Sequence, residues 1–464
     1  MTPILKFAAG AALALCAVVA QAAGDAWTLP IKTHTLENGL TVVVSEDHTS
    51  PTVGVSVVYK IGMRREPQGR TGFAHLFEHM MFQGTPTAPK GVFDQVVQGG
   101  GGVLNGSTRA DYTNYNESAP VSALEPILWL EADRMKTLDF SPQNLKNQQD
   151  VVKEEIRVNV KNQPYGLFFW TDIARLAFSK WENAHDGYGS FADLESANLD
   201  DVAAFHRDYY GPNNAVIGIV GDIKAEQAFA LVEKYFGALP ARPVPKGTDP
   251  SEPLNTAEKR ESQTDALAQV PAVALAWKAP DQRSPDQAAM AVLSHLLMGD
   301  SASRFYQGLI KGRQIAVAVE GGYNWPLGGG WDFSGPALLT VLALYRPDSS
   351  ADAVVTAIDE ELEKIRKEGV DAETLARVKT RLRASYVSAM EPFLMRADSL
   401  AKIQALWGDA EVLNRIPGWI DAVTSADLQR VVDTYLTKQN RVVIDRVPAA
   451  MAAAKQPAAA AKKE

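Results

Sequence analysis

His75-Leu76-Phe77-Glu78-His79 is the segment of this sequence whose residue types and spacing most directly imply chemistry. It lies in a stretch with a helical apolar period, Thr71 to Phe82, where Thr71 is placed as N-cap and Gly84 as stop. Residues four apart share a helix face, so both imidazoles can reach one ion, and zinc accepts such ligands. Glu78 projects beside that ion, where a carboxylate can accept and return a proton. With only 7 histidines in the chain, two of them at this spacing around an acid form an informative pattern. The competing reading is a surface helix that happens to carry two histidines.

A catalytic zinc site takes a third protein ligand, usually remote in sequence. The helical period from Ser141 to Asn162 offers Glu154 and Glu155. Glu155 shares a face with Val151, Val152 and Val158, whereas Glu154 sits nearer Asp150 and Arg157. A carboxylate on an apolar face is costly unless paired, and a metal would be its partner, so Glu155 is selected. No G-x-S-x-G elbow occurs, and Gly99 to Gly102 leads into Val103-Leu104-Asn105 rather than a Lys-Ser/Thr, which excludes a P-loop.

The elements that must hold these residues read as α+β. Ile31 to Leu36, a Glu37-Asn38-Gly39 turn and Leu40 to Ser45 give a hairpin signal, followed by strand-like alternation from Thr52 to Ile61. A further strand pair spans Val103 to Glu117, with helical periods at Lys90 to Gln98 and Pro120 to Leu138. Pro240, Pro243, Pro245, Pro250 and Pro253 admit neither a helix nor a central strand, so residues 239–262 read as a linker. On either side of it, Asp201-Val202 through Phe205, Tyr209 and Asn214 to Val216 matches Asp427-Leu428 through Val431, Tyr435 and Asn440 to Val442 at one constant offset. The chain therefore reads as two copies of one α+β domain, residues 27–238 and 263–447, with an Ala/Lys-rich tail, 448–464, expected to be disordered.

At 464 residues, 46% hydrophobic and 22% charged, the chain is long enough for two or three packed cores. A net charge of −9 with no basic run interleaved with aromatics sets nucleic-acid binding aside. Lys6, the apolar run Phe7 to Ala20 and Ala20-Gln21-Ala22 read as a signal peptide over residues 1–23. Its removal takes away Cys16, the only cysteine, so a mature chain would hold no disulfide or thiolate site. No later apolar stretch is long enough to span a membrane, and the expected location is periplasmic, with secretion as the alternative.

His75-x-x-Glu78-His79 with Glu155 downstream resembles the inverzincin motif of the pitrilysin/insulinase family of zinc metallopeptidases, whose relatives include the mitochondrial processing peptidases. The resemblance extends to Gly72-Phe73-Ala74, Met80-Met81-Phe82-Gln83-Gly84-Thr85, Leu104-Asn105-Gly106-Ser107-Thr108, Asp111-Tyr112-Thr113-Asn114-Tyr115 and Val151 to Ile156. Met298 to Tyr306 resembles the family's other domain. What the resemblance implies is two homologous α+β domains forming half of a clam-shell. One zinc per chain would be held by His75, His79 and Glu155, with Glu78 as general base. Leu104, Asn105, Gly106, Ser107 and Thr108 would form a substrate-binding edge strand for unstructured peptides. A homologous second chain would complete the shell, as a heterodimer or, alternatively, a homodimer. A non-catalytic assembly subunit or a peptide-binding scaffold of the same fold is the alternative to a peptidase.

Two positions depart from that pattern. Gln148 stands where family members often carry a second glutamate. No Arg/Tyr pair at the family's substrate-clamp spacing occurs after the linker; Lys379 and Tyr386 come closest. The Gly-rich segment Gly321 to Gly335, with Trp325 and Trp331, reads as a loop with packed aromatics.

Overall fold

The computed structural model describes residues 27–455. The expected signal peptide lies outside the described residues, as does 456–464. The first half builds a six-stranded sheet from β1 (Lys32–Thr35), β2 (Thr41–Glu46), β3 (Thr52–Tyr59), β4 (Val103–Thr108), β5 (Thr113–Pro120) and β6 (Ala215–Gly221). Its order is β1-β2-β6-β3-β5-β4, with β2 and β6 parallel and the other pairs antiparallel. The hairpin turn forms where the sequence places it. Gly39 takes φ 88°, and the Asn38 side chain accepts from the Leu40 N–H at 3.1 Å. Among the described residues β4 pairs only with β5, which leaves its other edge open.

The second half repeats this plan. β7 (Lys259–Asp265), β8 (Ala272–Lys278), β9 (Ala316–Tyr323), β10 (Leu338–Tyr345) and β11 (Arg441–Pro448) form a sheet of order β7-β11-β8-β10-β9. The parallel pair β7/β11 answers β2/β6, and β9 answers β4 as the last strand. The sequence repeat is matched down to single bonds. Asn198 with Asp201, and Thr424 with Asp427, form capping boxes at the starts of helices Leu199–Tyr209 and Ser425–Tyr435. After each helix an asparagine amide, Asn214 or Asn440, donates to the carbonyl of the closing tyrosine, Tyr209 or Tyr435, at 2.8 Å. The molecule is thus an α+β fold of two homologous domains.

Each sheet is covered partly by a helix from the other half. The helix Phe393–Trp407 lies across β3 and β6, where Gly54 and Gly218 remove the side chains that would block it. A Cβ on Gly54 would stand 2.6 Å from the Leu394 Cα, and one on Gly218 3.0 Å from the Ala397 carbonyl carbon. Asp398 of that helix accepts from Ser56 Oγ at 3.0 Å and Asn114 Nδ2 at 2.6 Å. In exchange Phe168, Ile173 and Ala177 of the first half pack on Ala272, Ala274, Ala276, Val442 and Ile444 of the second sheet.

The linker carries no helix or strand from Leu239 to Ala257, as its prolines require. Two boundaries differ from the sequence reading. Residues 259–262 belong to β7, since an edge strand begins as soon as the prolines end. Ala449–Lys455, expected to be disordered, form a helix following β11, consistent with their alanine content. Of the Gly321 to Gly335 segment, Gly321 to Tyr323 belong to β9 rather than to a loop, because they pair with β10. The remainder packs its aromatics, the Trp331 carbonyl accepting from Trp407 Nε1 at 2.9 Å and Trp419 lying against both rings. Among the described residues no helix is long and apolar enough to cross a membrane.

Candidate metal centre

The helix α1 (Phe73–Met80) buries Phe73, Ala74, Leu76, Phe77 and Met80 and turns His75, Glu78 and His79 to the opposite, half-buried side. Its N-terminus is not capped as expected. Thr71 gives its hydroxyl to Asp193 Oδ2, and Gly72 occupies the cap position at φ 77°. The buried Glu66 carboxylate accepts instead from the Gly72 N–H at 3.0 Å and the Ala74 N–H at 2.8 Å. Glu66 also meets His185 Nε2 at 3.0 Å. Burial pushes its carboxyl up against these bonds.

The helix α2 (Pro142–Ile156) begins with Ser141 accepting from the Asn144 N–H at 3.2 Å and with proline in its first turn. Leu145, Gln148, Gln149, Val152 and Ile156 face inward. Directly after it the backbone widens into a π turn, Arg157–Lys161. Glu155 points at the histidines, whereas Glu154 pairs with Arg157 at 2.9 Å in solvent. The selection of Glu155 rested partly on the wrong neighbours, because Val151 and Val158 are 42% and 47% exposed. Val152 and Ile156 define the buried face.

His75 Nε2 and His79 Nε2 lie 3.3 Å apart, and each is 3.5 Å from Glu155 Oε2. Donors about 2.0–2.1 Å from a tetrahedral ion lie about 3.3–3.4 Å from one another, so the observed triangle fits zinc without rearrangement. Hydrogen bonds from His75 and His79 hold the Glu155 carboxyl far below its ordinary range. Burial opposes a charge on His79, but hydrogen bonding to Glu155 outweighs it and raises that imidazole. Gln148 also favours the charged His79 ring, so the departure from glutamate leaves a neutral group beside this histidine.

Glu78 stands apart from that triangle. Its Oε2 accepts from the Thr108 hydroxyl at 2.7 Å, which ties it to β4. A Cβ on Gly106 would lie 3.1 Å from both the Glu78 Cγ and Oε1, so glycine leaves the carboxylate its space. His75, Glu78, Gly106, Ser107 and Thr108 line a cavity of about 180 Å³ together with Trp170 and Tyr188. Leu104 turns toward the first core and Asn105 toward solvent. Leu104, Asn105, Gly106 and Ser107 also flank a wider groove of about 540 Å³ that runs to Asp332 and Lys402 of the second half. Trp170 and Tyr188 were missed by sequence reasoning. The Tyr188 ring meets His75 edge-on at 5.0 Å, and Trp170 packs on Tyr188 at 4.4 Å. No spacing signal marks either residue, since only the folded chain brings them to α1.

Comparison with known proteins gives consistent results. Residues 41–168 match the insulinase family, peptidase family M16, and residues 196–382 match the peptidase M16 inactive domain. Zinc protease PqqE of Helicobacter pylori is 29% identical over 413 residues, covering 86% of this chain and 89% of that protein. The uncharacterized zinc protease YmxG of Bacillus subtilis is 25% identical over 406 residues, covering 86% of this chain and 94% of that protein. A protease structure from Helicobacter pylori superposes with a TM-score of 0.84 at 26% identity, covering 91% of this chain and all 100% of the other. The periplasmic protease PqqL of Escherichia coli shares the fold, with a TM-score of 0.75 at 19% identity; this chain covers 49% of it.

Proposed function

Since the chain belongs to the insulinase family, peptidase family M16, we propose that it is an exported zinc metalloendopeptidase that hydrolyses unstructured peptides. The observation that carries this reading is the donor triangle of His75, His79 and Glu155 with a separate carboxylate, Glu78, beside the same cavity. The match to the inactive domain begins at residue 196, beyond Glu155, and runs from the end of the first half into the second, so it leaves this constellation intact.

His75, His79 and Glu155 hold one zinc per chain. When bound, zinc supplies Lewis-acid polarisation of a water and of a peptide carbonyl. Glu78 accepts the proton of the attacking water and returns it to the leaving amine, with Thr108 fixing one carboxylate oxygen and leaving Oε1 free for the proton. An extended peptide adds its main chain to the open edge of β4 at Leu104 to Thr108, which selects for unfolded segments over sequence. One chain forms half of the enclosing shell. A homologous chain that supplies the missing Arg/Tyr clamp completes it as a heterodimer, and the supporting observation is the asymmetry between a complete donor set and an absent clamp.

The test separates binding from chemistry. Glu78→Gln is expected to keep the zinc of the native chain by elemental analysis while hydrolysis of a quenched peptide falls by about 10²–10⁴-fold. His79→Ala is expected to lose the metal, because two ligands hold it weakly. Equal zinc in His79→Ala, or normal turnover in Glu78→Gln, contradicts the assignment. The same assay, run on the chain alone and after mixing with a homologous chain from the same source, reads the heterodimer as a gain on mixing. Full activity alone with no gain excludes it.

A further inference from the structure

Trp331 of the β9–β10 connection, Trp407 at the end of helix Phe393–Trp407 and Trp419 of helix Val412–Ala422 line one cavity of the second half, about 390 Å³ in volume. Ligand sites span about 300–1,000 Å³, so it is large enough to hold one. The rings of Trp331 and Trp419 lie 5.9 Å apart and those of Trp407 and Trp419 5.8 Å, inclined at 41° and 34° rather than stacked face to face. All three are half-buried. The polar groups around them are one-sided. Trp407 Nε1 donates to the Trp331 carbonyl, whereas among the described residues the indole N–H groups of Trp331 and Trp419 have no partner. Arg283 donates to the Trp407 carbonyl at 2.6 Å, lies 5.6 Å from the centre of that ring, and pairs with no carboxylate of the described residues. The side-chain acceptors are taken. Gln287 Oε1 accepts from the Arg283 N–H at 2.9 Å, Ser284 Oγ from the Asp286 N–H at 3.2 Å, and the Asp427 carboxylate from Thr424 and Arg430.

Aromatic surface, unused donors and an unpaired cation together narrow the ligand. A cation is disfavoured, because Arg283 already sits against the Trp407 ring. An ordinary peptide brings an N–H at each residue and finds no free side-chain acceptor. A proline brings a carbonyl, an apolar ring and no N–H. Consecutive prolines also hold the extended left-handed helix that aromatic-lined grooves accept with little loss of entropy.

We propose that the cavity of Trp331, Trp407 and Trp419 is a docking site for a proline-rich segment of another protein, with an acidic residue beside its prolines. The indole N–H groups meet proline carbonyls, the rings meet pyrrolidine, and Arg283 meets the acid. The site is independent of the peptidase reading, since every residue that forms it lies in the second half, between Arg283 and Asp427.

Three labelled peptides test the site on the full-length chain by fluorescence anisotropy: an oligoproline ending in aspartate, its counterpart ending in asparagine, and a control with alanine for every proline. Oligoproline has no N–H to add to an open sheet edge, so its binding does not report on β4. The aspartate peptide is expected to bind about two- to fivefold tighter than the asparagine peptide. Trp419→Ala is expected to weaken both proline peptides about tenfold or more and to leave the alanine control unchanged. Arg283→Gln is expected to erase the difference between aspartate and asparagine without weakening the asparagine peptide. If Trp419→Ala does not fold, Ala288→Leu narrows the cavity from its wall and is expected to weaken the same two peptides. Proline peptides that do not bind, or whose Kd neither cavity variant changes, overturn the site. An alanine control weakened as much as the proline peptides overturns the selection for proline, and an aspartate effect that survives Arg283→Gln overturns the part given to Arg283. Binding of phenylacetate, seen in the tryptophan fluorescence, where no peptide binds assigns the cavity to a small anion and overturns the docking of a protein segment.

Discussion

Glu78 is fixed from the side of the strand rather than from its own helix, since its hydrogen-bond donor is Thr108 and its free space is the missing side chain of Gly106. A hydrogen bond to a charged group contributes about 1.5–3 kcal/mol, which corresponds to at least tenfold in rate if it acts on the reacting carboxylate. Thr108→Val keeps the shape of the residue and removes the hydroxyl, so kcat is expected to fall about tenfold with KM and zinc content unchanged. Thr108→Ser is expected to restore it. A KM rise with unaltered kcat would instead make Thr108 a simple strand contact. At this scale the sequence was legible wherever chemistry repeats at helical spacing, as in His75, Glu78 and His79. Glu155 was found on a partly mistaken face, and Trp170 and Tyr188 had no local signature because only long-range folding brings them to the histidines.

Secondary structure and repeat were legible for a related reason: strand alternation, turn residues and capping motifs act within a few positions. The crossing of helix Phe393–Trp407 over the first sheet was not. A glycine in a strand reads as a weak point, and only the structure shows that Gly54 and Gly218 are the bed of a helix from the other half. Gly218→Ala is therefore expected to destabilise the protein by about 1–3 kcal/mol, read from the denaturant midpoint at constant m-value. An unchanged midpoint would mean that the helix can lift without cost. The N-terminus of α1 teaches the same lesson, because its cap came from Glu66 and not from the adjacent threonine.

Across the whole molecule the linker acts as a fastener, and Glu252 is the residue of it that bonds both halves through one side chain. Glu252, with its side chain fully buried, accepts from the N–H and hydroxyl of Ser179, the Lys180 N–H, Asn183 and Lys278, joining the first half to β8. Burial disfavours its charge, yet these donors hold the carboxyl at about 2, below the ordinary 4.5. A depressed carboxyl stabilises above its unfolded value and loses that contribution as pH falls through the folded one. Glu252→Gln is expected to cost about 3 kcal/mol near neutral pH by leaving the buried Lys278 ammonium poorly paired. The gap in Tm between native and variant chains should shrink between about pH 4.5 and about pH 2. A gap independent of pH would show that the charge of Glu252 is irrelevant.

The exchange of covering helices has a consequence for how the chain can be divided. Residues 27–257 made on their own would leave β3 and β6 without their lid, and residues 258–455 would present a naked alanine face on β8. Neither fragment should stay in solution unaccompanied. A single protease nick between Pro240 and Pro245, by contrast, should leave two pieces that migrate as one particle on a sizing column and come apart only in denaturant.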